Sequence, residues 1–175
     1  IPGASGVEAV ANLDGPGRGR VLSRLAPIEQ MCDIVIIDTG AGLGPNSLAF
    51  SAAAERVAVV TTPDPTAMTD AYGMIKAMVP RGAVAPYLIV NMVEGVEQGQ
   101  EVFRRISRAC ETFLNIRLRF GGLIPEDRAV VRGVRARIPF VVMDPEAEAT
   151  REVHRLGRVL LGAPLEGSGP TGASW

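Results

Sequence analysis

At 175 residues and a formal net charge of −1, the chain can form one domain that buries about 70% of its unfolded surface, and it has no charge excess to draw it to nucleic acid or an anionic bilayer. Apolar residues make up 47% and charged residues 21%, ordinary for a globular domain, and no run of about 18 apolar residues is present to span a membrane. Aromatics are only 5%, so aliphatic side chains must build the core, and Cys32 and Cys110, with no metal-ligand spacing, read as buried free thiols in a reducing compartment such as the cytoplasm.

Residues 1–12 read as a strand end entering a loop; the first residue is Ile1, and the chain is expected to begin inside a domain. Val21, Leu22, Leu25 and Ile28 then recur at helical spacing, with Pro27 dividing the element. Residues 34–37, Ile-Val-Ile-Ile, are apolar on both faces for the length of one central parallel strand, which predicts a buried strand ending on Asp38. Glycines follow at 40, 42 and 44. Ligands of open α/β sheets sit outside the carboxyl ends of the strands, so Asp38 and its glycine loop are candidates for holding a metal-bound water and for bringing backbone N–H groups close to a phosphate. The plainer reading of Asp38-Thr39-Gly40 is a turn with an Asx-type cap.

Residues 46–54 are small and alanine-rich, suited to a helix held close to its neighbour, and 56–61 make a short buried strand. Pro63 and Pro65 predict a rigid loop over 62–66, carrying Asp64, with a helix over 68–79 capped by Thr66 or Thr69 and with Asp70 near its positive end. Residues 87–93 form a third buried strand that delivers Asn91, whose carboxamide offers a donor and an acceptor together, although a strand-end asparagine is also an ordinary turn residue. Val102, Phe103, Ile106, Ala109, Cys110 and Phe113 lie on one stripe of a helix over 97–114, with Arg104, Arg105 and Arg108 on the opposite, solvated face. A strand over 118–124 leads to Pro125, Glu126 and Asp127, the last an N-cap for a helix over 128–135. Residues 140–142 read as extended, and Pro145 opens a final helix to about Leu161 that carries the single histidine, His154, as a surface residue. The Gly/Pro/Ser-rich residues 162–175 read as a disordered tail outside a domain of residues 1–161.

Alternating short apolar runs and helical patterns predict an α/β, three-layer fold: a mostly parallel sheet with helices on both faces. The run Asp38-Thr39-Gly40-Ala41-Gly42 with Asn46-Ser47, the segment from Val59 to Tyr72 through Thr62-Pro63-Asp64-Pro65-Thr66, and Gly122-Leu123-Ile124-Pro125-Glu126-Asp127 together resemble the MinD/ParA family of P-loop ATPases. Within it they are most similar to the FlhG branch, regulators of flagellar number and placement. The resemblance spans nearly all of residues 1–161 and implies ATP and Mg²⁺ as ligands. It implies that Asp38 lies near the metal's water shell or the attacking water, that Gly40 and Gly42 line the γ-phosphate, and that Asn91 recognises adenine. It also implies that the backbone at Pro125 and Glu126 packs on the adenosine, and that Asp64 lies near the nucleotide of a second subunit, where the family more often has glutamate. A nucleotide-dependent homodimer follows, with the flagellar GTPase FlhF or switch-ring components as partners, in the cytoplasm or peripheral at the inner membrane or cell pole. Gly-x-x-x-x-Gly-Lys-[Ser/Thr] is absent, and the only lysine, Lys76, falls on a predicted helix, so the chain resembles the C-terminal two-thirds of such an ATPase domain. The tail lacks the basic, apolar-periodic helix that attaches MinD to membranes, and nucleic acid is not favoured. A division-site regulator, a DNA-segregation ATPase and a non-catalytic module that has lost its phosphate loop are the alternative readings.

Overall fold

The computed structural model describes residues 30–40 and 42–162, together with residues 16, 17, 19, 20, 23, 27 and 28. The readings made for residues 1–12, most of 21–28, Ala41 and residues 163–175 lie outside these. A helix α1 (Pro45–Ala53) leads to β1 (Ala58–Thr61), α2 (Pro65–Met78), β2 (Tyr87–Val93), α3 (Val96–Leu114) and β3 (Arg119–Pro125). Then come α4 (Arg128–Ala136), a single turn α5 (Phe140–Met143) and α6 (Glu148–Leu161). The strands pair in parallel in the order β1-β2-β3, so each is joined to the next by a helical crossover, as parallel pairing requires.

The centre of the molecule is β2. Leu88 and Val90 are fully buried on one face against Ile75 and Met78 of α2 and Val102, Ile106 and Cys110 of α3. Ile89 turns to the other face, where it meets Ile124 of β3, Ala149, Val153 and Leu156 of α6 and Val130 of α4. Three consecutive aliphatic residues are thus needed because both faces are covered, as the sequence pattern predicts. Burial also pushes the Cys110 thiol up to about 11, leaving it protonated and unreactive.

Several expectations are corrected. Residues 34–37 are not a buried strand: Ile34 is 54% and Ile36 88% exposed, and the segment pairs with no strand among the described residues. An apolar run becomes a strand only where a neighbour accepts its backbone ladder, and none of the described residues supplies one to this segment. Cys32, just before it, is exposed rather than buried. β1 is covered on one face only, with Val59 and Thr61 buried and Val60 59% exposed. α2 begins at Pro65 rather than Met68, since a proline at the first helical position loses no hydrogen bond and has its φ already set.

Phe113 falls on the stripe of α3 but is 75% exposed, because a 19-residue helix of about 28 Å overruns a seven-residue strand of about 23 Å. Residues 140–142 are helical, not extended: they pair with no strand among the described residues, and their turn is closed locally by N–H groups of Val142 and Met143 donating to the Pro139 carbonyl at 2.9 and 3.1 Å. Correspondingly α6 starts at Glu148, after a turn in which the Thr150 hydroxyl donates to the Asp144 carbonyl at 2.8 Å.

α4 meets the segment after it at very short range. A Cβ on Gly133 would lie 2.8 Å from the Ile138 carbonyl oxygen and 2.9 Å from the Phe140 Cβ. Both obstacles are backbone or backbone-fixed, so Gly133→Ala is expected to cost about 1–3 kcal/mol. The shift of the urea unfolding midpoint at unchanged slope measures it; an unshifted midpoint contradicts the tight packing.

Candidate functional site

Parallel pairing puts the carboxyl ends of all three strands on one rim, and register decides which side chains meet there. Asn91 pairs with Ile124 and Val93 with Pro125, with Met92 left over as a bulge between them. Met92 takes a left-handed backbone, φ 58°, and its side chain is 55% exposed. Bulges of this kind re-aim neighbouring side chains, and a non-glycine residue in that region is held only where its surroundings compel it. The half-buried Asn91 therefore reaches the rim immediately before a fixed kink. The Glu126 N–H donates to the Val93 carbonyl at 2.9 Å, which extends the pairing one step and ties the 125–126 loop to β2.

Asp127 fixes the far side of that loop. Its Oδ1 accepts the Ala129 N–H at 2.8 Å as N-cap of α4, and its Oδ2 accepts the Ala149 N–H at 3.2 Å at the start of α6. One carboxylate thus holds two helix N-termini, each favourable to negative charge. The N–H of Ala129 first, and that of Ala149 second, hold the Asp127 carboxyl below the usual carboxylate range. The bond to α4 is legible as a local cap; the bond to a residue 22 positions away has no local signature.

At the end of β1, Asp64 caps α2, taking the N–H groups of Thr66 at 2.7 Å and Ala67 at 3.1 Å on Oδ1. These bonds, Ala67 first, lower its pKa. The expected caps Thr66 and Thr69 do not serve: Thr66 supplies a backbone donor, and the Thr69 hydroxyl donates to the Pro65 carbonyl at 2.8 Å. Strand register thus sets Asn91 and Pro125 at the rim, Glu126 is tied beside them through Val93, and Asp64 follows the carboxyl end of β1.

The structure treats the glycine loop differently. Asp38 and Gly40 are exposed, and among the described residues no hydrogen bond or ion pair joins Asp38 to Asp64, Asn91 or Glu126. The loop is instead tied to α1, where the Ser47 hydroxyl donates to the Gly40 carbonyl at 3.1 Å, and α1 enters the core through Leu48. Gly42 adopts φ 99°, with no atom within 4 Å of the position a Cβ would take, so its backbone is open to close approach. Among the described residues no group of three or more His, Cys, Asp or Glu side chains is gathered to cage a metal.

No protein-family profile matches the chain. Over 151 residues it is 27% identical to the antiactivator FleN of Pseudomonas aeruginosa, covering 86% of this chain and 54% of FleN. Over 141 residues it is 33% identical to the flagellum site-determining protein YlxH of Helicobacter pylori, covering 78% of this chain and 47% of YlxH. The cell division ATPase MinD of Pyrococcus furiosus superposes with a TM-score of 0.70 at 20% identity, over 93% of this chain and 64% of that one. The chain has the MinD/ParA fold. MinD of Pyrococcus horikoshii, solved as a complex with Mg-ADP, matches with a TM-score of 0.67 at 22% identity, over 91% of this chain and 61% of its own. The resemblance read from the sequence therefore holds in the relatives FleN and YlxH and in the three-dimensional fold, and the chain spans about half the length of those two relatives.

The double cap gives a test within this MinD/ParA fold. Asp127→Ala is expected to lower stability by about 1–2 kcal/mol, and Asp127→Asn by less, since asparagine also caps. Because the folded carboxyl titrates below its unfolded value of about 4, its contribution is complete above that pH and lost as pH falls through the folded value. Denaturation of wild type and Asp127→Ala should therefore converge in acid; a difference independent of pH would contradict the charge-assisted cap.

Proposed function

We propose that the protein is an ATP-dependent switch of the MinD/ParA type that regulates flagellar number or placement. The observation that carries this reading is the placement of Asn91, Pro125 and Glu126 on one rim of a MinD/ParA fold, in a chain similar to YlxH and FleN. In it Asn91 reads the adenine edge with paired donor and acceptor, the backbone at 125–126 packs on the adenosine, and the kink at Met92 holds the two in register. Asp38 orients the attacking water or a metal-bound water, and the open backbone at Gly40 and Gly42 donates N–H groups toward the terminal phosphate. Mg-ATP, when bound, supplies the phosphoryl group and the charge neutralisation that such transfer requires.

The 175 residues contain no Gly-x-x-x-x-Gly-Lys-[Ser/Thr], and in this proposal a phosphate-binding loop comes from sequence beyond them. A strand from the same source would pair with 34–37 and bring Asp38 to the rim. Asp64, already committed to capping α2, contributes to a nucleotide-dependent homodimer chiefly by fixing the loop at the end of β1. The flagellar GTPase FlhF or switch components are the proposed partners, met in the cytoplasm or at the cell pole. Among the described residues no helix is long and apolar enough to cross a membrane. The DNA-segregation reading gains no support from the net charge of −1, and in α3 Arg104 and Arg105 share Glu101, at 2.8 and 2.7 Å, while Arg108 has no such ion pair among the described residues.

Two substitutions separate the roles, made in protein that carries a phosphate-binding loop. Asp38→Ala should reduce ATP turnover by about 10²-fold or more while leaving ATP affinity and the unfolding midpoint nearly unchanged. Asn91→Ala should instead weaken ATP binding by about 10-fold and narrow the preference over GTP. Unchanged turnover removes Asp38 from the mechanism; unchanged affinity and selectivity remove Asn91.

A further inference from the structure

The helix that follows the 125–127 loop is built inside out. α4 turns its smallest residues inward, with Ala129 1% exposed and Gly133 buried, and sends larger aliphatic side chains outward. Val131 is 50% and Val134 73% exposed, and the segment that packs beside the helix adds Ile138 at 46% and Val142 at 69%. The close approach at Gly133 explains the inward choice, since nothing larger fits there. It does not explain the outward one. Arg128, Arg132, Arg135 and Arg137 are interleaved with these aliphatics, and residues 128–142 contain no Asp or Glu at all, in a chain whose net charge is −1. Arg132 is paired with Asp144 at 2.5 Å; Arg128, Arg135 and Arg137 are exposed, and none of the ion pairs found among the described residues involves them.

We propose that this face is a docking surface for an acidic amphipathic helix of a partner protein, aliphatic anchors lying on Val131, Val134, Ile138 and Val142 and carboxylates meeting Arg128, Arg135 and Arg137. Local charge complementarity selects the occupant, because a stripe of arginines beside aliphatic side chains favours acidic segments and repels basic ones. Arginine suits the task, since its planar fork pairs two hydrogen bonds with one carboxylate. The surface is also rigid before binding. Asp127 caps one end of α4, and at the other the N–H groups of Arg137 and Ile138 donate to the carbonyls of Val134 at 3.2 Å and Gly133 at 3.0 Å. Little backbone ordering is left to be lost on association, so the main ordering cost falls on the arginine side chains. A bilayer is the poorer occupant: the helix has only nine residues, and its outward apolar side chains are valines without the Trp, Phe or Leu of membrane-surface helices. The inference stands apart from nucleotide binding.

The test uses the whole chain without nucleotide and a fluorescent helical peptide of about 18 residues, with Leu at the i, i+4, i+7, i+11 positions and Glu flanking them. Saturable binding is expected, weakened roughly 10-fold between about 50 and 300 mM salt. It should fall by a similar factor or more in Val134→Asp and in Arg135→Glu/Arg137→Glu, both at exposed positions that leave the unfolding midpoint unchanged. The same peptide with its Leu and Glu order scrambled should not bind. Failure of the patterned peptide to saturate, equal binding by the scrambled one, or unchanged binding by both variants overturns the proposal. So does co-sedimentation of the chain with phosphatidylglycerol-containing vesicles that Val134→Asp abolishes while peptide binding is absent.

Discussion

Everything the candidate site offers depends on β2 being paired along both edges and covered on both faces. Leu88 and Val90 anchor it to α2 and α3, Ile89 anchors it to β3 and α6, and these contacts set the register that brings Asn91 beside Ile124 and Val93 beside Pro125. A slip by one residue would exchange the two faces, moving Leu88 and Val90 to the side of Ile124 and α6 and turning Asn91 into the side packed by α2 and α3. The hydrophobic core is therefore also the device that measures the position of the rim.

The same constraint explains what the sequence could and could not announce. Residues 87–90 and 34–37 look alike as patterns, each a four-residue apolar run followed by a polar residue, Asn91 or Asp38, and only the first lies in a strand among the described residues. The difference is the neighbour. Tyr87–Val93 has β1 on one side and β3 on the other, whereas 34–37 has no ladder among the described residues, and pairing partners are not written in the run itself. The parallel α/β class was legible because three strands and the helices between them alternate at regular spacing. The candidate residues at strand ends were legible for the same reason, since Asp64, Asn91, Pro125 and Glu126 each follow a recognisable apolar run.

The finer devices escaped because they are nonlocal or depend on competition between caps. Asp64 rather than Thr66 or Thr69 caps α2 because a carboxylate placed before Pro65 reaches two backbone donors at once. The second bond of Asp127 joins residues far apart in sequence, and the bulge at Met92 arises from matching two strands rather than from either alone. Residues 140–142 read as extended by composition but fold as a helical turn initiated by Pro139, whose carbonyl accepts the N–H groups of Val142 and Met143. In each case the propensity of the segment was overruled by what stands beside it.

Seen as a whole, the 125–127 loop is the junction of the molecule. It leaves β3 at the carboxyl-end rim, is tied to β2 by Glu126, and passes through Asp127 to the N-termini of α4 and α6. The account's central claim is that this rim is where a nucleotide binds. Amide hydrogen exchange of protein carrying a phosphate-binding loop, with and without Mg-ATP, tests it most directly. Protection is predicted in peptides spanning 91–93 and 124–127, with none at the opposite strand ends around Ala58, Tyr87 and Arg119; protection confined to those opposite ends, or absent from the rim under saturating Mg-ATP, would contradict it.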